Sequence, residues 1–217
     1  MSLLLREEKG GRKALLTRNL TPGKRVYNED LVVRNGAEYR TWDPFRSKLA
    51  ASIIKGLPDD VIHEGSRVLY LGASTGTTLS HISDLVGSKG LVVGVEFAPR
   101  VAREFIEHVA RERKNVIPFV ADARDPSKYA VAKVDVVYCD IAQPDQTEIA
   151  MTNCSALLKK GGSLVLVVKA RSIDVLKEPE KVFSEEKRKL EGAGYRVKAV
   201  IELSPFDKDH ALILATI

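Results

Sequence analysis

The chain has 217 residues, enough for one domain with or without a small appendage, and 44% of them are apolar, which supports a sizeable core. No apolar run reaches the roughly 18 residues of a membrane span, and MSLLLREEKGGRK is too short in apolar residues for a signal peptide, so an intracellular protein is expected. The net charge of +5 lies mostly in residues 1–60, where 12 Lys and Arg face 8 Asp and Glu. This basic excess favours an anionic partner such as nucleic acid, although many soluble proteins carry a similar excess and have no such partner.

The cysteines and histidines predict no metal site. Cys139 and Cys154 form no CxxC pair, and Cys139 lies inside a predicted core strand. Buried free thiols are therefore favoured over a disulfide or a zinc site. His63, His81 and His108 show no spacing typical of metal ligands.

The first 43 residues predict a small antiparallel β unit. KALLTRN is typical of a strand, and LVVR and AEYRTW flank Asn35-Gly36, a dipeptide that favours a type I′ hairpin turn. From Pro44 the segment PFRSKLAASIIKGL has a helical period, with Pro44 in the first turn and Gly56 after the last. The predicted division is therefore a β unit over residues 1–43 and a larger domain over residues 44–217.

The rest of the chain alternates between strands and helices. The predicted strands are RVLYLG, GLVVGVEF, VIPFVAD, VDVVYCD and SLVLVVKA; the predicted helices are TTLSHISDLVG, PRVAREFIEHVARER, QTEIAMTNCSALLKKGG with a glycine cap, and PEKVFSEEKRKLEGAG. YRVKAVIEL and HALILATI end the chain, and the short SPFDKD loop between them permits only an antiparallel pair. The pattern predicts a doubly wound, Rossmann-like α/β sheet, mostly parallel, with one antiparallel strand near its edge.

Ligands of such sheets bind beyond the carboxyl ends of the strands. The first strand there is followed by GASTGTT, where Gly72 and Gly76 allow close approach to a ligand. The loop lacks the third glycine of the dinucleotide fingerprint and the lysine of a Walker A motif, so it suits a nucleoside better than a pyrophosphate. The alternative is an ordinary tight turn between a strand and a helix.

Acidic residues end the next two strands. Glu96 can accept both ribose hydroxyls of an adenosine, Phe97 can stack on the adenine, and Asp122 can accept a hydrogen bond from the adenine amino group. On its own Glu96 is equally typical of a solvated strand end. Together these groups and the final antiparallel strand favour an S-adenosylmethionine-dependent methyltransferase over a nicotinamide dehydrogenase.

Longer motifs resemble one family closely. YRTWDPFRSKLAASI, VLYLGASTGTTLSHISDLVG, VVGVEFAPR, DARDP, DIAQPDQ and DHALILA, spread over nearly the whole chain, are similar to fibrillarin in its compact archaeal form. The resemblance implies 2′-O-methylation of ribose in rRNA, and possibly tRNA, at sites chosen by a box C/D guide RNA. It also implies a Nop-family scaffold protein and a kink-turn-binding ribosomal-type protein as partners, and a cytoplasmic location.

The resemblance carries four catalytic residues onto this chain: Lys48 in FRSKLAA, Asp140 in YCDIAQ, Lys169 in LVVKA and His210 in KDHALI. Lys169 would hold the ribose alkoxide, and Asp140 would orient that lysine near the methyl donor. Without the resemblance Lys48 is typical of a solvated helix face and Lys169 of a lysine extending from a strand end to water. His210 is either a proton relay or a cap of the loop before the last strand.

The same resemblance assigns S-adenosyl-L-methionine as the cofactor. The predicted contacts are Gly72, Ala73, Thr77, Thr78, Glu96, Phe97, Asp122, Ala123, Asp140, Ile141, Ala142 and Gln143. Two alternatives stay open at this point. One is a methyltransferase that acts on a protein glutamine or a small molecule, and the other is a non-catalytic scaffold of an RNA–protein particle.

Overall fold

A computed structural model describes residues 3–9, 12–129 and 132–217. Residues 1, 2, 10 and 11 of the predicted N-terminal unit, and residues 130 and 131, lie outside the described part of the chain. The predicted division at residue 43 stays a prediction.

Four strands near the N-terminus form a small antiparallel sheet. They are β1 (Leu4–Lys9), β2 (Arg12–Arg18), β3 (Leu31–Arg34) and β4 (Ala37–Trp42), in the order β1-β2-β4-β3. Asn35 and Gly36 both have positive φ, 51° and 75°, as a type I′ turn requires. The predicted hairpin and the antiparallel β unit are confirmed.

Seven strands form the second sheet. They are β5 (Arg67–Leu71), β6 (Leu91–Glu96), β7 (Val116–Val120), β8 (Val134–Cys139), β9 (Leu158–Lys169), β10 (Arg196–Glu202) and β11 (His210–Thr216). Their order is β10-β11-β9-β8-β5-β6-β7; β5 to β9 are parallel, and β11 runs antiparallel to both its neighbours. The predicted Rossmann-like sheet with one reversed strand near its edge is confirmed.

Helices follow most of the strands. They are α1 (Lys48–Ile54), α2 (Thr77–Val86), α3 (Pro99–Phe105), α4 (Gln146–Leu157), α5 (Ala170–Ile173) and α6 (Pro179–Gly192). A π-helical turn over Ile106–Ala110 extends α3, and a 3₁₀ turn covers Pro126–Tyr129. Within the described ranges, none of these helices has the length and apolar character needed to cross a bilayer.

Strand β5 shows why both faces of the large sheet are covered. Successive side chains of a strand point to opposite faces. Val68 and Tyr70 accordingly pack with α1, α2 and the small sheet, whereas Leu69 and Leu71 pack with α4 and α6. A strand buried on both faces has no polar alternation, which is why VLYL predicted a parallel strand.

Two element boundaries were predicted wrongly. Helix α1 does not begin at Pro44: Ser47 has extended backbone and its side chain accepts from the Ala50 N–H, so the helix begins at Lys48. Helix α4 has no glycine cap, because it ends at Leu157 and the next five residues already belong to β9.

A buried network of charges joins the small sheet to α2. The Arg40 guanidinium donates to Glu29 at 2.6 Å and to Asp84 at 2.8 Å, and Arg113 donates to the other oxygen of Asp84 at 2.6 Å. Thr17 of β2 also donates to Asp84. All these side chains are buried, so each charge depends on its partners rather than on water.

Candidate active site

The carboxyl ends of β5, β6, β7, β8 and β9 enclose a cavity of about 310 Å³. Its lining residues are Gly72, Ser74, Val95, Glu96, Phe97, Ala121, Asp122, Ala123, Arg124, Asp140, Ile141, Ala142, Gln143, Ile149 and Lys169. The cavity lies on the side of the sheet that the strand-end rule predicted, and its volume suits a nucleoside-sized ligand.

The turn after β5 is shaped by two glycines. Gly72 has φ +82°, and a Cβ there would lie 2.7 Å from the Asp140 carbonyl oxygen. Gly76 has φ +90°, and its Cβ would lie 2.7 Å from Val109. The turn therefore packs directly against the backbone after β8, which brings Asp140 beside the cavity.

Glu96 is fixed at the end of β6 by backbone donors. Its Oε2 accepts from the Ser74 N–H at 2.8 Å, and its Oε1 accepts from the Ala98 N–H at 3.0 Å. Each carboxylate oxygen keeps a second lone pair, so the group can accept two further hydrogen bonds from a diol in the cavity. Phe97 beside it is 69% exposed and offers a free aromatic face.

The loop after β7 is fixed by hydrogen bonds from buried side chains. The Ala123 carbonyl accepts from Tyr129 Oη at 3.0 Å and from Asn153 Nδ2 at 2.8 Å. Asp122 Oδ1 accepts from the Arg124 N–H at 2.9 Å, which turns the carboxylate toward its own loop. Asp122 and Ala123 line the cavity together with Gly72.

The AQPDQ segment closes the rim of the cavity. Arg124 donates to both carboxylate oxygens of Asp145, at 3.1 and 2.8 Å, and to Gln143 Oε1 at 2.9 Å. This pairing lowers the pKa of Asp145, chiefly through the hydrogen bond from Arg124. Gln146 is fully buried and oriented so that its amide nitrogen donates to the carbonyls of Ile141 and Val167. The segment thus joins the β7 and β8 loops and ties α4 to β9.

Lys169, Asp140 and Lys48 form one charged group at the cavity edge. Lys169 Nζ lies 2.8 Å from Asp140 Oδ1 and donates to the Asp140 carbonyl at 3.0 Å. Lys48 Nζ lies 3.5 Å from Asp140 Oδ2. One carboxylate thus holds two ammonium groups together, an arrangement that can stabilise an oxyanion between them. All three side chains are mostly buried, which limits solvent screening.

His210 joins this group through a residue that the sequence reading missed. Asp207 Oδ2 lies 3.6 Å from Lys48 Nζ, and Asp207 Oδ1 lies 2.9 Å from His210 Nδ1. Partial burial raises the pKa of Asp207, but the hydrogen bond and charge of His210 and the charge of Lys48 outweigh it, so the pKa lies below its usual value. The four predicted catalytic residues therefore lie in one cluster, and their roles stay predictions.

Three predicted cofactor contacts do not line the cavity. Ala73 follows Gly72 in the turn, where its N–H donates to the Val95 carbonyl, and Thr77 is the first residue of α2. Thr78 is buried and donates to Ser47 Oγ at 3.0 Å, so its side chain supports the cap of α1. The remaining nine predicted positions line it.

Five residues that line the cavity were absent from the predicted site residues: Ser74, Val95, Ala121, Arg124 and Ile149. Arg124 was visible as the basic residue within DARDP, and Asp207 as an acid three residues before His210. The sequence does not identify the partner of Arg124, because Arg124 and Asp145 are 21 residues apart.

The thiols take no part in this chemistry. Burial raises the pKa of Cys139 and of Cys154 to about 12, so both stay neutral. Both are buried and free, as the sequence predicted. Over the ranges that the structure describes, no group of His, Cys, Asp and Glu side chains is arranged to hold a metal ion.

Comparisons with known proteins agree with this geometry. The family model described as Fibrillarin matches residues 3–217. The fibrillarin-like rRNA/tRNA 2′-O-methyltransferase of Sulfolobus acidocaldarius is 52% identical over 206 residues, which cover 94% of this chain and 89% of the relative.

Two solved structures are also similar. Aeropyrum pernix fibrillarin with natively bound S-adenosyl-L-methionine has a TM-score of 0.87 and 43% identity, with 100% of both chains covered. A fibrillarin solved in complex with Nop5p has a TM-score of 0.87 and 40% identity, covering 100% of this chain and 98% of that one.

The sheet order, the reversed β11 and the nucleoside-sized cavity at the strand ends define the class of Rossmann-like S-adenosylmethionine-dependent methyltransferases. Within that class, the chain belongs to the fibrillarin family.

Proposed function

We propose that the chain transfers the methyl group of S-adenosylmethionine to a ribose 2′-hydroxyl of RNA. The observation that carries the proposal is the Lys169–Asp140–Lys48 group at the edge of the nucleoside-sized cavity. A 2′-hydroxyl is a weak nucleophile, and cations placed where its charge develops lower the barrier to attack. Membership of the fibrillarin family and the activity for which the Sulfolobus relative is named support the same reaction.

The cavity fits the proposed cofactor. Gly72 lets the turn after β5 pack against the backbone of Asp140, so that both line the cavity, and Glu96 keeps lone pairs for a diol. Asp122 and Ala123 lie on the side that an adenine would take, and residues 140–143 line the other wall. When bound, S-adenosylmethionine supplies a methyl group already activated by a sulfonium charge.

The chain's own residues then position the acceptor and receive its proton. Lys169 is placed to hold the ribose oxygen as it becomes negative, and Asp140 orients Lys169 and Lys48. Catalytic lysines favour an oxygen nucleophile, because an amide nitrogen gains less from a cation that stabilises an alkoxide. This favours ribose over a protein glutamine as the acceptor.

We propose that the protein works within a box C/D particle. A relative was solved in complex with Nop5p, which supports a Nop-family scaffold as partner. The kink-turn-binding protein and the guide RNA follow from the family resemblance. The net charge of +5 is modest for an RNA-binding enzyme acting alone, which suits targeting through such partners.

A methyl-transfer assay tests the proposal. The reconstituted particle is given labelled S-adenosylmethionine and a target RNA, and a matched RNA carries a single 2′-deoxy nucleotide at the guided position. We expect label in the first RNA and none in the second. Label in both would place the methyl group elsewhere on the RNA, and label in neither, with S-adenosylmethionine bound, would favour the non-catalytic scaffold.

A further inference from the structure

The loop between β10 and β11 extends the catalytic cluster outward. Asp207 bridges Lys48 Nζ, 3.6 Å from its Oδ2, and His210 Nδ1, 2.9 Å from its Oδ1. Since Lys48 also contacts Asp140, and Asp140 pairs with Lys169, groups of alternating charge run without a break from the end of β9 to the start of β11. This arrangement fixes the positions of these charged groups relative to one another.

The register of the sheet places His210 next to the lysine that the mechanism uses. His210 and Lys169 are paired directly across the antiparallel β9–β11 ladder. Residues opposite each other in such a ladder project from the same face. The Ala170 N–H donates to the Asp209 carbonyl at 3.0 Å and fixes the start of β11 beside the end of β9.

The surroundings of His210 select one tautomer. Its Nδ1 has two oxygen neighbours, Asp207 Oδ1 at 2.9 Å and the Lys208 carbonyl at 2.6 Å. Both oxygens are acceptors, so Nδ1 carries the hydrogen. In the neutral ring Nε2 then keeps the free lone pair and is the basic atom.

The loop holds Asp207 in place for this task. The Asp207 and Phe206 N–H groups donate to the Leu203 carbonyl, and the Leu203 N–H donates to the His210 carbonyl at 2.9 Å. The Phe206 ring also meets Phe45 edge to face, with centroids 5.2 Å apart. A carboxylate on a loop tied at both ends loses little rotational freedom when it orients a partner.

We propose that Asp207 is a positioning residue that fixes His210 in the tautomer whose Nε2 accepts the acceptor's proton, and that holds Lys48 toward Asp140. This inference rests on the proposed function. The O2′–H bond breaks and an O–CH₃ bond forms, while the carbon–sulfur bond of the donor breaks with its electron pair on sulfur. The proton passes to His210 Nε2 and then to water, which reaches this partly exposed side chain.

The test is steady-state methyl transfer by the reconstituted particle. We expect Asp207→Asn to lower kcat about 100-fold, the scale of an acid–base contribution, with the Kd for S-adenosylmethionine unchanged. Asp207→Glu should restore most of the rate. Asp209→Asn is the matched control. It removes an acid from the same loop, but the Asp209 carboxylate contacts Arg171 rather than Lys48 or His210. It should retain the wild-type rate.

A second measurement does not depend on activity. Nitrogen NMR of the imidazole in the wild-type protein should show Nδ1 protonated at neutral pH. In Asp207→Asn only the Lys208 carbonyl and a neutral amide remain beside Nδ1, so the population of the other tautomer should rise. The inference is overturned if wild-type His210 is protonated on Nε2, or if Asp207→Asn behaves as Asp209→Asn does. If the wild-type particle methylates no RNA, the proposed function fails, while the tautomer measurement still decides the role of Asp207.

Discussion

At the scale of single residues, the site depends on one carboxylate shared by two lysines. Asp140 is 12% exposed and pairs with Lys169 and Lys48 from two different elements. The sequence already showed Asp140 as an acid at the end of an apolar strand. Its partners could not be read from the chain, because Lys48 and Lys169 are far from it in sequence and meet it only through the fold.

Lys169→Ala should reduce turnover far more than cofactor affinity. The Nζ of Lys169 lies beside Asp140, where it can hold the ribose oxygen, and the loss of such a donor costs about 100-fold or more in kcat. Isothermal titration should give a Kd for S-adenosylmethionine close to that of the wild type. A Kd that rises as much as kcat falls would mean that Lys169 serves the cofactor instead.

Gly72→Ala should destabilise the fold and weaken cofactor binding together. The added Cβ meets the Asp140 carbonyl at 2.7 Å in a left-handed backbone, which costs about 1–2 kcal/mol for the conformation and about 1–3 more for the clash. Gly56→Ala is the control, because Gly56 also has positive φ (+110°) but no atom within 4 Å of the new Cβ. Urea unfolding should show a larger loss of unfolding free energy for Gly72→Ala than for Gly56→Ala. Equal losses would show that the contact with the Asp140 carbonyl does not cause the destabilisation.

At the scale of elements, the sequence predicted types better than boundaries. The Asn35-Gly36 hairpin was predicted because its turn chemistry is local. The start of α1 was missed because Pro44 suits a first helical turn, while the actual cap at Ser47 also depends on Thr78 from α2. Boundaries decided by partners from other elements leave no local pattern.

The end of α4 was predicted wrongly for a related reason. Gly161 and Gly162 are typical of a helix cap, yet they lie in β9 beside a shift in its register with β8. A Cβ on Gly162 would lie 2.7 Å from Leu158 and 2.8 Å from the Asp135 carbonyl. The glycine is thus required for close strand packing, which a single sequence does not distinguish from a cap.

Arg124→Ala should shorten the residence time of S-adenosylmethionine. The side chain joins the β7 and β8 loops by binding Asp145 and Gln143 across the cavity rim. Because the pair is exposed, its removal should barely change the melting temperature, while the cofactor dissociates faster from a looser rim. Stopped-flow dissociation measures this rate.

Arg34→Ala provides the matched control. Arg34 donates to both oxygens of Glu7 on the small sheet, away from the cavity, and is similarly exposed. Its removal should leave cofactor dissociation unchanged. The rim would have no such role if both variants released the cofactor at the wild-type rate.

At the scale of the whole molecule, buried charge joins the small sheet to α2. Arg40, Glu29, Asp84 and Arg113 are charged residues that composition alone would place on the surface. The family resemblance, the fold class and the proposed reaction could be predicted from motifs, but this network could not, because its members come from four separate segments.

His81 makes that junction sensitive to acid. Its Nδ1 lies 2.7 Å from Thr17 Oγ1, its Nε2 lies 2.7 Å from Tyr27 Oη, and its ring stacks on Trp42. The Thr17 hydroxyl also donates to Asp84, and the Tyr27 hydroxyl also donates to the Thr41 carbonyl at 3.1 Å, so both ring nitrogens lie within a closed hydrogen-bond network. Burial first, and then the charges of two nearby arginines, hold the pKa of His81 well below its usual value.

Stability should therefore fall as the pH drops below about 6.5, where the unfolded chain binds a proton at this residue and the folded chain does not. The loss is about 1.4 kcal/mol per pH unit, or about 2 kcal/mol between pH 6.5 and 5. His81→Gln keeps a donor and an acceptor but does not titrate. Between pH 7 and 5, the unfolding free energy of this variant should therefore fall by about 2 kcal/mol less than that of the wild type. His63→Gln, at an exposed histidine, should keep the wild-type pH dependence. Urea unfolding at both pH values measures the difference, and equal slopes in wild type and His81→Gln would show that His81 does not link the junction to acid.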